Sequence, residues 1–244
     1  MAFAGGVLAG LLSVYVLIFN GLMIGTVAGL CLVLERWGTI PLERALAPAI
    51  ELAANGFEVT PRFAKGVKSK ADILFQFETG KKKFLKAAGS FYEPGDIYRQ
   101  PHLAKTLQRI AQEGTKGFYQ GETADLIVAE MQRGKGLITH TDLKKYRPKI
   151  RKPVQGTYRG YDVYSMSPPS SGGAHIIQML NILESYPIGN LGHNSAATIH
   201  LMAEAMTRAY ADRSKYLGDS DFVKVPLAGI TSKAYAAELR SQID

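Results

Sequence analysis

The chain has 244 residues, 46% of them apolar and 20% charged, enough for one large domain or two small ones and too apolar for a disordered chain. Its formal charge is +8 with a pI near 9.4, and its single cysteine, Cys31, excludes an internal disulfide and any cysteine-rich metal site. Much of the positive excess lies between Lys65 and Lys86, around an alternating stretch Ile73–Phe77 that reads as a strand; without interleaved arginines these lysines read as a solvated rim, and nucleic acid is not an expected partner.

The first charged side chain is Glu35. Val7–Ile24 is about long enough, at 1.5 Å per residue, to cross a bilayer, and Arg36 and Arg44 follow it, so residues 1–24 form a candidate membrane span. No basic n-region or small-residue cleavage site marks a secretory signal. A buried helix and a reading-frame artefact are the other readings of this segment. Localisation is accordingly expected to be membrane-associated or extracytoplasmic.

From Gly25 the apolar residues turn helical: Leu30 and Leu34, then Leu42, Leu46 and Ile50, predict two helices around the turn WGTIP, the second closed by Asn55 and Gly56. Leu103, Leu107 and Ile110 predict a helix from Pro101 to Gly114. A further helix over Glu122–Arg133 should bury Leu126, Ile127 and Met131 and stop at Gly134. Thr139 and Asp142 form a capping-box pattern. The period then changes to two: Val154–Tyr158 and Tyr161–Met166 predict a hairpin turning at Arg159 and Gly160, with one face in need of cover. Ile176, Ile177, Leu180 and Leu183 predict a helix ending before Pro187. Ile199, Met202, Met206, Ala209, Arg213 and Leu217 predict a long helix capped by Ser195 and ended at Gly218. Ser232 caps a last helix.

Candidate chemistry is sparse. His200, Glu204 and Arg208 share a helical face at i, i+4 spacing; a zinc site needs a third ligand, so the reading is a salt-bridge ladder. Asp219 and Asp221 lack the further ligands of a calcium loop. His102, His140 and His193 have no partner at a recognisable spacing, and His175 reads as a neutral residue at a helix start. The loop SPPSSGG holds Ser170, Ser171, Gly172 and Gly173 at the mouth of a helix, where exposed N–H groups hold anions. A serine nucleophile there lacks a base and an orienting group, so Ser170 or Ser171 reads as a cap. No metal or cofactor is expected.

Several long stretches, in order, resemble one family: GTVAGL, WGTIPLERALAPAIELAANGF, LAKTLQRIAQEGTKGFYQG, GLITHTDLKKY, YRGYDVYSMSPPSSGG and YADRSKYLGDSDFVKVP. They are similar to the large subunit of gamma-glutamyltransferase over residues 25–244, about nine tenths of the chain. The resemblance implies an α+β fold, part of a four-layer αββα N-terminal nucleophile hydrolase, this portion mostly helical with one β-hairpin. It implies self-cleavage at a threonine whose new amino terminus attacks the gamma-glutamyl bond of glutathione, passing the acyl group to water, an amino acid or a peptide. The family's threonine, Gly-Gly oxyanion donors and Ser-Ser pair correspond to positions beyond Asp244, and its carboxylate-binding arginine to a segment before Gly25. No catalytic role therefore falls on a residue of this chain, and Ser170, Ser171, Gly172 and Gly173 are expected at most to shape a cleft wall. The expected partner is the family's small subunit, with glutathione a substrate only of the complete enzyme. The alternative is a membrane-tethered scaffold derived from the large subunit.

Overall fold

The computed structural model describes residues 23–244. The candidate span over residues 7–24 thus lies almost wholly outside the described residues. The chain divides into two compact units at Lys149/Ile150.

The first unit is built from helices. α1 (Met23–Trp37) and α2 (Leu42–Asn55) flank the predicted WGTIP turn, and α2 stops at Gly56, whose φ of +87° only glycine adopts without strain. β1 (Phe57–Glu58) pairs antiparallel with the distant β2 (Ile97–Tyr98), a pairing too short to leave an alternating pattern in the sequence. Between them run α3 (Pro61–Ser69), capped by Thr60, then α4 (Ala71–Leu74) and α5 (Glu78–Phe84). The expected strand at Ile73–Phe77 is therefore a helical turn and a bend. Its apolar residues are satisfied singly: Phe75 packs on Phe91 at 5.7 Å, while Ile73 stays 60% exposed, so no continuous face exists for a strand to bury.

α6 (Pro101–Glu113), α7 (Lys116–Tyr119), α8 (Gly121–Arg133) and α9 (His140–Lys145) complete the unit. Ala28, Ile110, Phe118, Tyr119, Val128 and Leu143 make its main core. The Ala28 N–H donates to the Tyr119 hydroxyl at 3.1 Å, and burial pushes that phenol up to about 12. In α8 the inward face is Thr123, Ala124 and Val128, with Ile127 and Met131 partly buried; Leu126, expected inside, is exposed because the helix is rotated toward its small residues. The Thr139–Asp142 capping box forms as predicted, and its Thr139 hydroxyl and N–H hold the Asp142 carboxyl below the usual range.

In the second unit, β3 (Val154–Tyr158) and β4 (Tyr161–Ser165) form the predicted hairpin, one residue shorter than expected at Met166. Arg159 and Gly160 both take positive φ, the type I′ geometry that matches strand twist. α10 (Gly172–Leu183) lies across one face of the hairpin: a Cβ on Gly156 would strike the Ile177 side chain, so glycine there sets the approach distance. Of the face expected to need cover (Val154, Tyr158, Tyr161, Val163 and Met166), α10 buries Val154 and covers Val163 in part, while Tyr161 and Met166 stay exposed, as does Tyr164.

After a 3₁₀ turn (Ile188–Asn190) comes α11 (Ala196–Tyr216), capped by Ser195, then α12 (Leu227–Ile230) and α13 (Lys233–Arg240), capped by Ser232. Ile182, Ala205, Ala236 and Leu239 are the core joining α10, α11 and α13. The apolar stripe expected to face inward on α11 does so only at Ala209. The buried side is Thr198, Ala205, Ala209 and Asp212, whereas Ile199, Met202 and Met206 are exposed, together with Tyr210. Small residues win the inner face because they let α11 approach α10 closely.

Candidate functional site

The SPPSSGG loop leads from β4 into α10 through a buried Pro168 and a cis Pro168–Pro169 bond. Gly173 is required by contact: a Cβ there would run into the Met166 carbonyl, so backbone packs on backbone. The Ser170 hydroxyl accepts from the Gly172 N–H at 3.3 Å, two residues on, whereas Ser171 at the N-cap position makes no side-chain cap bond, so neither serine is the helix cap that was expected. Ser171 does something else: its hydroxyl accepts from Arg213 Nε at 3.0 Å, which ties the loop to α11. Both hydroxyl oxygens therefore receive hydrogen bonds from groups among the described residues.

His175 sits in the first turn of α10, 5% exposed, its ring stacked on Tyr210 at 5.9 Å. Its Nδ1 lies 2.6 Å from the Ser171 carbonyl; a carbonyl only accepts, so Nδ1 carries a proton and donates it. Nε2 is buried and has no hydrogen-bond partner among the described residues.

One helical turn deeper, α10 carries Gln178 and Asn181. Gln178 Nε2 donates to Asp212 Oδ2 at 2.5 Å, and the Tyr235 hydroxyl donates to Asp212 Oδ1 at 3.0 Å. Burial and that bond to a carboxylate push the Tyr235 phenol up to about 12. Asn181 Nδ2 donates to the Thr231 carbonyl at 2.8 Å, holding the approach to α13. A carboxylate 7% exposed is kept by two donors from two other helices, so Asp212 is the joint of α10, α11 and α13. Composition did not point to it. Its signal was the spacing of Gln178 and Asn181 on an otherwise apolar helix, polar residues that a core retains only when they are bonded.

Two clamps secure the periphery. Lys233 Nζ and the Arg159 N–H both donate to Glu184, at 2.6 and 2.7 Å, and hold its carboxyl below the usual range. Arg151 pairs with Asp221 at 2.8 Å and with Asp219 at 3.6 Å, so the GDSDF turn is pinned by a guanidinium. Glu204 pairs with Arg208 as the ladder reading expected, and His200 Nε2 approaches the Asp244 carbonyl at 3.2 Å. In the first unit, His140 Nε2 pairs with Asp125 at 2.9 Å. That corrects the expectation of a partnerless histidine, since the partner sits fifteen residues away on a neighbouring helix, where no local spacing reveals it.

Comparison with known proteins gives these arrangements a family. The sequence model of the gamma-glutamyltranspeptidase family matches residues 23–244. The glutathione hydrolase proenzyme of Escherichia coli strain K12 is 48% identical over 221 residues, covering 90% of this chain and 38% of that protein. The acylase ACY 1 proenzyme of Pseudomonas sp. strain SE83 is 43% identical, covering 90% and 39%. The crystal structure of Helicobacter pylori gamma-glutamyltranspeptidase superposes with a TM-score of 0.87 at 46% identity, covering 90% of this chain and 63% of that one. This chain therefore spans about two fifths of the length of the curated relatives it matches. Its helices and hairpin are a portion of the αββα nucleophile-hydrolase fold, and the chain belongs to the gamma-glutamyltranspeptidase family.

Proposed function

We propose that residues 25–244 are the large-subunit portion of a gamma-glutamyltransferase that moves the gamma-glutamyl group of glutathione to water, an amino acid or a peptide. The reading adds that they do not perform the reaction alone. The observation that carries it is the ordered match of nine tenths of this chain to about two fifths of a glutathione hydrolase proenzyme. The chain's contribution is scaffolding: α10 and the SPPSSGG loop, fixed by Arg213 and Asp212, form a wall, with Ser170, Ser171, Gly172 and Gly173 beside the substrate cleft. The nucleophile and the glutamate-gripping groups come from elsewhere in the polypeptide or from a small-subunit partner.

The scaffold alternative draws on the apolar segment 7–24. Among the described residues no helix is long and apolar enough to cross a membrane. An extracytoplasmic or membrane-associated location rests on that same segment.

The test is release of product from a chromogenic gamma-glutamyl anilide. The purified 244-residue chain should give no more than its boiled control, whereas a complete family proenzyme assayed in parallel should release product. Release by the chain alone overturns the proposal. Intact-mass spectrometry should likewise show one species near 26.6 kDa, because Thr231 and Ser232 lie at the start of α13, where the Ser232 hydroxyl is occupied as a cap. Two fragments summing to that mass would count against it.

A further inference from the structure

Between Pro61 and Lys86 the chain carries eight basic residues against two acidic ones, Asp72 and Glu78. Three short helices hold them. α3 turns Phe63 and Ala64, and α5 turns Phe84, onto one aromatic cluster around Val59, Tyr92 and Tyr98. Lys65, Lys68, Lys81 and Lys82 consequently lie on the outward side of the same two helices, with Lys70 exposed at the α3–α4 junction. Lys68, Lys81 and Lys86 have acidic partners in Glu93, Glu78 and Asp96. Lys65, Lys70 and Lys82 form no ion pair among the described residues.

Two large apolar side chains are exposed in the same stretch of chain, between Lys70 and Lys81: Ile73 is 60% exposed and Phe77 51% exposed. α5 packs tightly on the end of α4: a Cβ on Gly80 would overlap the Leu74 carbonyl. The same fold brings the Lys68 ammonium to 5.9 Å from the Phe91 ring on which Phe75 packs. Exposed lysines alone suit any polyanion. Exposed lysines interspersed along one short segment with an exposed isoleucine and phenylalanine suit one kind better, a surface whose charge lies over a hydrocarbon layer. A nucleic-acid groove gains nothing from Ile73, and the segment holds one arginine, Arg62, for the bidentate phosphate contacts such grooves favour.

We propose that residues 61–86 form a peripheral docking surface for an anionic lipid bilayer, with the exposed lysines over the headgroups and Ile73 and Phe77 at the acyl boundary. The proposal is independent of the family reading and of the apolar segment at residues 1–24.

The test is flotation of the full chain with phosphatidylcholine vesicles and with vesicles containing about 30% phosphatidylglycerol, at low and at 0.5 M salt. Because an apolar segment partitions into both, the readout is the anionic-to-neutral ratio, expected to exceed about tenfold at low salt and to collapse at high salt. Each lysine near an anionic surface is worth about fivefold in partitioning, so K65Q/K70Q/K82Q together should bring the anionic-to-neutral ratio down close to one. K116Q/K144Q/K145Q, on other exposed helices of the same unit, should leave it unchanged, and circular dichroism of both variants should match the parent. I73S should weaken anionic binding a few-fold at both salt concentrations. Equal flotation with neutral and anionic vesicles, an undiminished triple variant, or tighter binding to duplex DNA than to the anionic vesicles each overturns the proposal.

Discussion

Replacing Asp212 tests whether the second unit is held by one buried carboxylate. Its two oxygens accept from Gln178 Nε2 and the Tyr235 hydroxyl, and Gln178 is fully buried. Asp212→Ala removes two charge-assisted hydrogen bonds, leaves the Gln178 amide with no acceptor and opens a small void; two bonds to a charged group at about 1.5–3 kcal/mol each are partly offset by no longer burying the carboxylate, which leaves about 3–4 kcal/mol in all. Asp212→Asn keeps the oxygen that serves Tyr235. Its new N–H₂ would face the Gln178 N–H₂, but Gln178 escapes by rotating its amide. The Gln178 oxygen, which has no partner now, then accepts, so the substitution exchanges one orphan for another and costs about 1–2 kcal/mol. Tyr235→Phe should cost about 1 kcal/mol, because the carboxylate keeps its other donor. Hydrogen exchange measured on peptides from α10 and α13 reads this unit separately from the first. Protection should fall about 100- to 1000-fold for Asp212→Ala and about tenfold for Asp212→Asn. Equal losses for the two variants, or a loss below fivefold for alanine, would refute the joint.

Much of the fold was legible because its elements punctuate themselves. Gly56, Gly114 and Gly134 close helices, Ser195 and Ser232 open them, and Arg159–Gly160 turns the hairpin, each through a backbone preference acting within four residues. What stayed illegible depends on distant partners. Ile73–Phe77 alternates like a strand, yet a pleated strand needs a neighbour, and the residues that pack there come from Phe91 and from α5. The pairing of β1 with β2 spans some forty residues and involves two residues on each side. On α11 the large apolar residues advertised a core face, while the actual contact with α10 uses Ala205 and Ala209 and the polar Thr198 and Asp212. At the candidate site, the loop was visible as a string of Ser, Gly and Pro. Its fixings were not: Arg213 lies 42 residues from Ser171, and Asp212 lies 34 from Gln178.

Three further outcomes follow from single contacts. Gly173→Ala drives a methyl group into the Met166 carbonyl and should cost about 2–3 kcal/mol in thermal or urea unfolding, while Gly172→Ala, whose Cβ would sit 3.4 Å from Ser170 Oγ, should be close to neutral. Burial lowers Lys83 from 10.5 to about 7, so between those values the unfolded chain binds the extra proton and stability rises with pH; Lys83→Met should flatten that slope and stabilise by about 1–3 kcal/mol at pH 7, and a slope unchanged by the substitution would be contrary. The last outcome concerns the outer face of α11. Ile199, Met202, Met206 and Tyr210 recur at helical spacing and are 44–54% exposed. Together they leave on the order of 300 Å² of apolar surface in water, worth about 7 kcal/mol if covered, which is comparable with the net stability of a domain. A face of that size promotes association until something occupies it. The isolated chain should therefore run as oligomers in light scattering and become smaller when co-expressed with a family small subunit. Met202→Glu with Met206→Lys changes this face without touching buried Ala205 or Ala209, and it should yield monomer while leaving helix content intact. A sharp monomeric peak from the parent chain, with one cooperative thermal transition, would show that α11 needs no cover.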